Sequence, residues 1–191
     1  GRRVRRPARR RLTFRARGAA AAAIALGIAA CGPKEPAGPP VGVSDKPGTA
    51  TVTNGPVSFA FDSLDERPVS SEAMRGKPSV IALVTTGDLV GQAQVDYLVA
   101  MSKNDGDHVN YAIVALHPRK EMVLVDTYVQ TLGVKFPVAL GDPAATTSPS
   151  GPFGEIPAVP TVVVLDRTGR VVWKHTGLAK SEELRGHMHG L

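Results

Sequence analysis

Residues 76–91 read Gly76-Lys77-Pro78-Ser79-Val80-Ile81-Ala82-Leu83-Val84-Thr85-Thr86-Gly87-Asp88-Leu89-Val90-Gly91. Val80–Val84 is an uninterrupted apolar run. A half-exposed strand would alternate, so this one predicts a central strand buried on both faces. Asp88 follows where a helix begins. Its carboxylate suits that place, because it accepts free backbone N–H groups and its charge is favoured by the helix dipole. Beyond it, Val90, Ala93, Tyr97, Leu98 and Met101 recur at helical spacing and predict the packed face of a helix.

Working outward, Val57–Phe61 alternates as a strand does, and Ser70-Ser71-Glu72-Ala73-Met74 reads as a short capped turn. Val109–Leu116 is a second buried strand. Met122, Val125, Val129 and Leu132 mark a second helix, and Phe136–Leu140 a short strand. Thr161–Leu165 and Arg170–Trp173 are strands joined by Asp166-Arg167-Thr168-Gly169, a hairpin turn with glycine where positive φ costs little. Ser181 caps a last helix, with Glu182 and Glu183 in its first turn. Strands alternating with helices imply crossovers, hence an α/β fold in three layers: a mixed central sheet with helices on both faces.

Three local signatures, taken in order, resemble the thioredoxin-like superfamily, in particular its TlpA-like or redoxin branch. Gly76-Lys77-Pro78 before a buried strand is similar to that family's entry to its central strand. Val159-Pro160-Thr161 before a valine run is similar to its cis-proline loop, which would place the cis bond at Pro160. Leu165-Asp166-Arg167-Thr168-Gly169-Arg170-Val171-Val172 is similar to its late hairpin. The resemblance spans residues 57–191.

The departure lies where relatives carry W-C-x-x-C. Here the stretch is Thr85-Thr86-Gly87-Asp88-Leu89-Val90-Gly91, so the resemblance puts Asp88 in the place of the nucleophilic cysteine and Gly91 in that of the resolving one. Disulfide exchange needs a thiolate, which a carboxylate cannot replace. The chain has one cysteine, Cys31, which also excludes an internal disulfide and a thiolate zinc site. Thr85 and Thr86 read as strand-end residues with no base in view to activate them. The resemblance further implies that backbone beside Pro160 pairs with an extended partner. Gly87, Val159, Pro160 and Thr161 are thus candidate peptide-binding residues. His187-Met188-His189 is a conceivable metal ligand set, but an exposed chain end is the simpler reading, and neither a metal nor a cofactor is expected.

Residues 1–30 carry nine of the 23 basic residues and none of the 17 acidic ones. The remaining 14 basic and 17 acidic residues leave 31–191 mildly acidic, with no electrostatic reason to bind nucleic acid. Within the leader, residues 18–30 form 13 uncharged, mostly apolar positions. That is short of the roughly 20 a membrane-spanning helix needs and within the range of a signal peptide. Ile28-Ala29-Ala30-Cys31 resembles the lipobox of bacterial lipoproteins, which implies cleavage before Cys31 and acylation of that residue. Residues 31–56 then form a Pro- and Gly-rich tether, expected to be disordered and to reach about 25–30 Å.

The sequence thus predicts a signal peptide over 1–30, a lipidated tether over 31–56 and a thioredoxin-like domain over 57–191. The expected protein is a non-catalytic module of the cell envelope, held at the inner or outer membrane through Cys31. It would bind an envelope protein or extended peptide. A thiol–disulfide oxidoreductase and an envelope metal-binding protein are the alternative readings.

Overall fold

Strands β3 (Ser79–Val84) and β4 (Asn110–Leu116) run parallel, in register from Ser79 opposite Asn110 to Val84 opposite Ala115. All six β3 residues are buried, as the apolar run predicts. The computed structural model describes residues 55–191. The leader, Cys31 and nearly all of the tether lie outside them.

The remaining elements are β1 (Ala60–Ser63), β2 (Val69–Ser70), α1 (Leu89–Asp105), α2 (Met122–Thr131), β5 (Val138–Gly141), α3 (Pro143–Thr147), β6 (Thr161–Leu165), β7 (Val171–Thr176) and α4 (Ser181–Met188). The sheet order is β2-β1-β5-β4-β3-β6-β7. β5, β4 and β3 are parallel, while β1, β6 and β7 run antiparallel to their neighbours. This is the mixed sheet that the strand–helix alternation predicts.

One face of the sheet packs Val80, Ala82, Val84, Ile113 and Val164 against Val95 and Leu98 of α1, Val125 and Val129 of α2, and Leu184 of α4. The other face packs Ile81, Leu83, Val114, Val163 and Leu165 under Phe59, Met74, Phe153 and Ile156. There the only helix among the described residues is the one-turn α3, whose buried Thr146 lies near Val114 across Gly141. The two layers of cover are therefore unequal.

Three expectations change in detail. The strand read over Val57–Phe61 begins only at Ala60, although Val57 and Phe59 are buried as its alternation requires. The packed face of α1 is rotated: Gly91, Gln94, Val95, Leu98 and Met101 are buried, whereas Val90 and Tyr97 are exposed. Gln94 belongs to that face because its fully buried amide finds partners in the backbone of Ala179. Finally, the residue capping α4 is Lys180, without a side-chain bond, and Ser181 is already inside the helix.

Other local readings hold. Ser70 Oγ accepts the Ala73 N–H, and its carbonyl accepts the Met74 N–H, closing the predicted turn. Gly169 sits at φ +87° in the β6–β7 turn. There Asp166 Oδ1 accepts the N–H groups of Thr168 and Arg170 and the Thr168 hydroxyl.

Candidate functional site at one edge of the sheet

Because β3 and β4 are parallel, the loops that leave them emerge at the same sheet edge. β6 runs antiparallel to β3 with Thr161 opposite Leu83, so its entry loop lies at that edge too. Register alone therefore gathers Thr85–Gly91, His117–Leu124 and Val159–Thr161.

Asp88 is the N-cap of α1, with extended backbone at φ −103°, ψ 119°. Its carboxylate accepts the Val90 N–H at 3.1 Å and the Gly91 N–H at 3.0 Å. Both oxygens are thus engaged in ending the helix. A Cβ placed on Gly91 would lie 3.3 Å from Asp88 Oδ2, so Gly91 packs directly beneath the cap.

The Val159–Pro160 bond is cis, as the resemblance implies. Pro160 O accepts the Gly177 N–H at 2.7 Å, and the buried Thr161 donates its hydroxyl to Ala158 O at 2.6 Å. Both fix the loop. Val159 itself gives neither its N–H nor its C=O to a hydrogen bond among the described residues. On the approach to the loop, Lys174 Nζ donates to Phe153 O at 3.1 Å and Glu155 O at 3.0 Å. Burial lowers the pKa of that ammonium, partly opposed by the Glu155 charge.

The sequence shows no base near Thr86, but the fold supplies one. The Thr86 N–H donates to His117 Nε2 at 3.0 Å, and Thr86 Oγ1 lies 3.2 Å from the same nitrogen. On its other side, His117 Nδ1 lies 2.8 Å from Glu121 Oε2. The one signal for this in the sequence is indirect. His117 directly follows β4, and continuing the register past Val84 and Ala115 sets it across from Thr86.

Beside this group, Thr86, Gln92, Leu124, Thr127, Tyr128 and Leu132 line a pocket of about 250 Å³ between α1 and α2. The Tyr128 hydroxyl is buried without a hydrogen-bond partner. Its pKa is pushed up to about 12, first by burial and then by the charges of Asp96 and Asp88. The first turns of both helices are apolar and open to solvent: Leu89 is 81% exposed and Val123 75%.

His187 is exposed, as the reading of an open chain end expects, but it lies within α4. Its ring stacks on Trp173 with centroids 4.6 Å apart, and His175 stacks on the same indole at 5.3 Å. Among the described residues no group of three or more His, Cys, Asp or Glu side chains is placed to hold a metal. No helix among them is long and apolar enough to cross a membrane.

No protein-family model matches the chain, and no curated protein sequence does. Solved structures do. A DsbF homologue from Corynebacterium diphtheriae superposes with a TM-score of 0.65 at 18% identity, covering 81% of this chain and 97% of its own. A thiol:disulfide interchange protein of the thioredoxin family from Chlorobium tepidum gives 0.59 at 19%, covering 75% and 94%. A secreted disulfide oxidoreductase from Mycobacterium tuberculosis, homologous to DsbE of E. coli, gives 0.55 at 19%, covering 70% and 96%. The fold is thioredoxin-like.

Proposed function

We propose that this chain is a lipid-anchored module of the bacterial cell envelope that binds a protein or extended peptide through its thioredoxin-like fold, without thiol–disulfide chemistry of its own. The observation that carries the reading is the state of Asp88. At the position the resemblance assigns to the attacking thiol stands a carboxylate, with both oxygens committed to the α1 N-terminus. No cysteine occurs after Cys31. Fold alone does not confer the chemistry of its relatives.

Binding is supported at the same edge. Val159 keeps its backbone donor and acceptor free of other bonds, and exposed Leu89 and Val90 offer apolar contact nearby in sequence to Gly87. An extended partner would pair with the first and pack against the second. The anchor and the envelope location rest on the Ile28–Cys31 lipobox.

Titration of the 15N-labelled domain with extended peptides tests the binding. Shifts centred on Gly87 and Val159–Thr161 are expected, and their absence over a broad peptide library would refute it. Mass spectrometry of the envelope-derived protein should find acylated Cys31 at the N-terminus. The likeness to disulfide oxidoreductases favours a second reading, thiol exchange. Insulin-disulfide reduction distinguishes the two, and turnover by the purified chain would overturn the first.

A further inference from the structure

We propose that the cleft between α1 and α2 holds the side chain of a lysine on a partner protein, with its stem against Leu124 and Leu132 and its ammonium toward the acidic row of α1. This goes beyond the groove at Val159 and does not depend on it.

Residues four apart share one ridge of a helix. On α1 and its N-cap, Asp88, Gln92 and Asp96 follow one another at that spacing. On α2 and its C-cap, Leu124, Tyr128 and Leu132 do the same, with Thr127 and Thr131 beside them. Gln92 and these α2 residues line the cleft of about 250 Å³. Neither aspartate lines it. Each stands one turn from Gln92, which does.

The wall is built to accept hydrogen bonds. The Thr127 hydroxyl donates to Val123 O at 2.9 Å, and the Thr131 hydroxyl to Thr127 O at 2.8 Å. With their protons directed into the helix, both oxygens present lone pairs to the cleft. The Gln92 side chain has no hydrogen bond to another described residue and can turn its amide oxygen the same way.

The field has one sign. At the buried Tyr128 hydroxyl, Asp96 and Asp88 are the charges that act, and no basic side chain offsets them. α2 carries no basic residue, and the single one on α1, Lys103, lies in its last turn. Before α2, Arg119 is paired with Asp62, and neither it nor Lys120 acts on that hydroxyl. A cation is therefore drawn to the cleft and an anion repelled.

The cleft is smaller than a site for a drug-sized ligand. It suits a four-carbon chain with a polar head, and lysine lays such a stem along apolar surface while its charge stays among polar groups. The apolar first turns of both helices, at Leu89 and Val123, are left open to solvent. A free amine would fill the cleft alone, whereas a protein segment carrying the lysine would cover those residues as well.

The test is titration of the 15N-labelled full chain with n-butylammonium chloride, n-butanol and sodium butyrate at equal ionic strength. We expect saturable shifts at Gln92 and over Thr127–Leu132 with the ammonium, weaker ones with the alcohol and none with the carboxylate. Asp96→Asn should weaken ammonium binding about two- to fivefold, the range of one exposed charge pair, and Asp96→Lys should abolish it. Asp96 is exposed, so both variants should keep the native circular dichroism spectrum. A blocked Leu-Lys-Leu peptide should bind at least about tenfold tighter than n-butylammonium, through the added apolar contact, and tighter than its norleucine analogue. No saturable shift, butyrate acting as strongly as the ammonium, binding unchanged in Asp96→Lys, or a norleucine peptide binding as well as the lysine one would each overturn the proposal. Equal affinity for the peptide and the free amine would give the cleft to small amines and overturn the partner-protein part. Shifts at Val159–Thr161 report on the other groove and stand or fall separately.

Discussion

Gln94 and Ala179 exchange two hydrogen bonds across the interior. The Ala179 N–H donates to Gln94 Oε1 at 2.7 Å, and Gln94 Nε2 donates to Ala179 O at 3.3 Å. Both residues are fully buried. The amide side chain thus completes the backbone bonding of the segment between β7 and α4, as a neighbouring strand would.

Removing that partner is costly because the Ala179 N–H and C=O would stay buried and unpaired. Gln94→Ala should destabilise the domain by about 2–4 kcal/mol, from two orphaned backbone groups and a small cavity. Gln94→Glu keeps the shape but sets a buried carboxylate oxygen against the Ala179 carbonyl, and at neutral pH should destabilise at least as much. Urea denaturation followed by circular dichroism checks the order.

Asp166 makes the β6–β7 turn sensitive to acid. Burial raises its pKa, but the Thr168 hydroxyl and the backbone N–H groups of Arg170 and Thr168 outweigh it and hold the carboxyl below its ordinary range. A depressed folded value means that the stabilisation is complete above about pH 4, the unfolded value, and is lost as pH falls through the folded one. Asp166→Ala should cost about 1–2 kcal/mol at neutral pH. The difference from the native chain should shrink on titration from pH 5 toward pH 2, read by urea midpoints at each pH.

Two substitutions should give the domain the thiol pair that the proposed function denies it. The nearest atom a Cβ at Gly91 would meet is Asp88 Oδ2 at 3.3 Å, which the change removes, while Asp88 Cβ and Thr85 O at 3.6 Å are at ordinary contact distance. Asp88→Cys with Gly91→Cys should therefore fold and acquire insulin reductase activity, and the native chain should show none. Asp88→Ala alone should cost about 1 kcal/mol through the lost cap and leave reductase activity absent.

Gly141 marks where β5 meets the α3 layer. A Cβ there would lie 2.7 Å from Val114 Cγ1 and 2.9 Å from Thr146 Oγ1. Gly141→Ala should cost about 1–3 kcal/mol by overpacking, seen as a lower thermal midpoint. Gly87→Ala meets nothing within 4 Å and should be close to neutral by the same measurement.

The sheet was legible because its strands carry their own pattern. Val80–Val84 and Val162–Leu165 are apolar throughout, and Asp166–Gly169 announces its turn. The face of α1 was misread because a glutamine scores as polar, although its bonds to Ala179 place it at the centre of the core. β2 and α3 escaped notice because two and five residues are too few to show a period. At the candidate site Asp88 could be placed as a cap from local sequence. The Thr86–His117 contact spans 31 positions and exists only through the β3–β4 register, so no local signal announces it.

Trp173 is the chain's single tryptophan. With the imidazole of His187 lying on its indole, undocking of the C-terminal helix would change the surroundings of the one indole fluorophore, which light of about 295 nm excites apart from the tyrosines. Emission from the unlabelled protein can then be followed as a direct gauge of how firmly the last helix is seated, with no dye or tag attached.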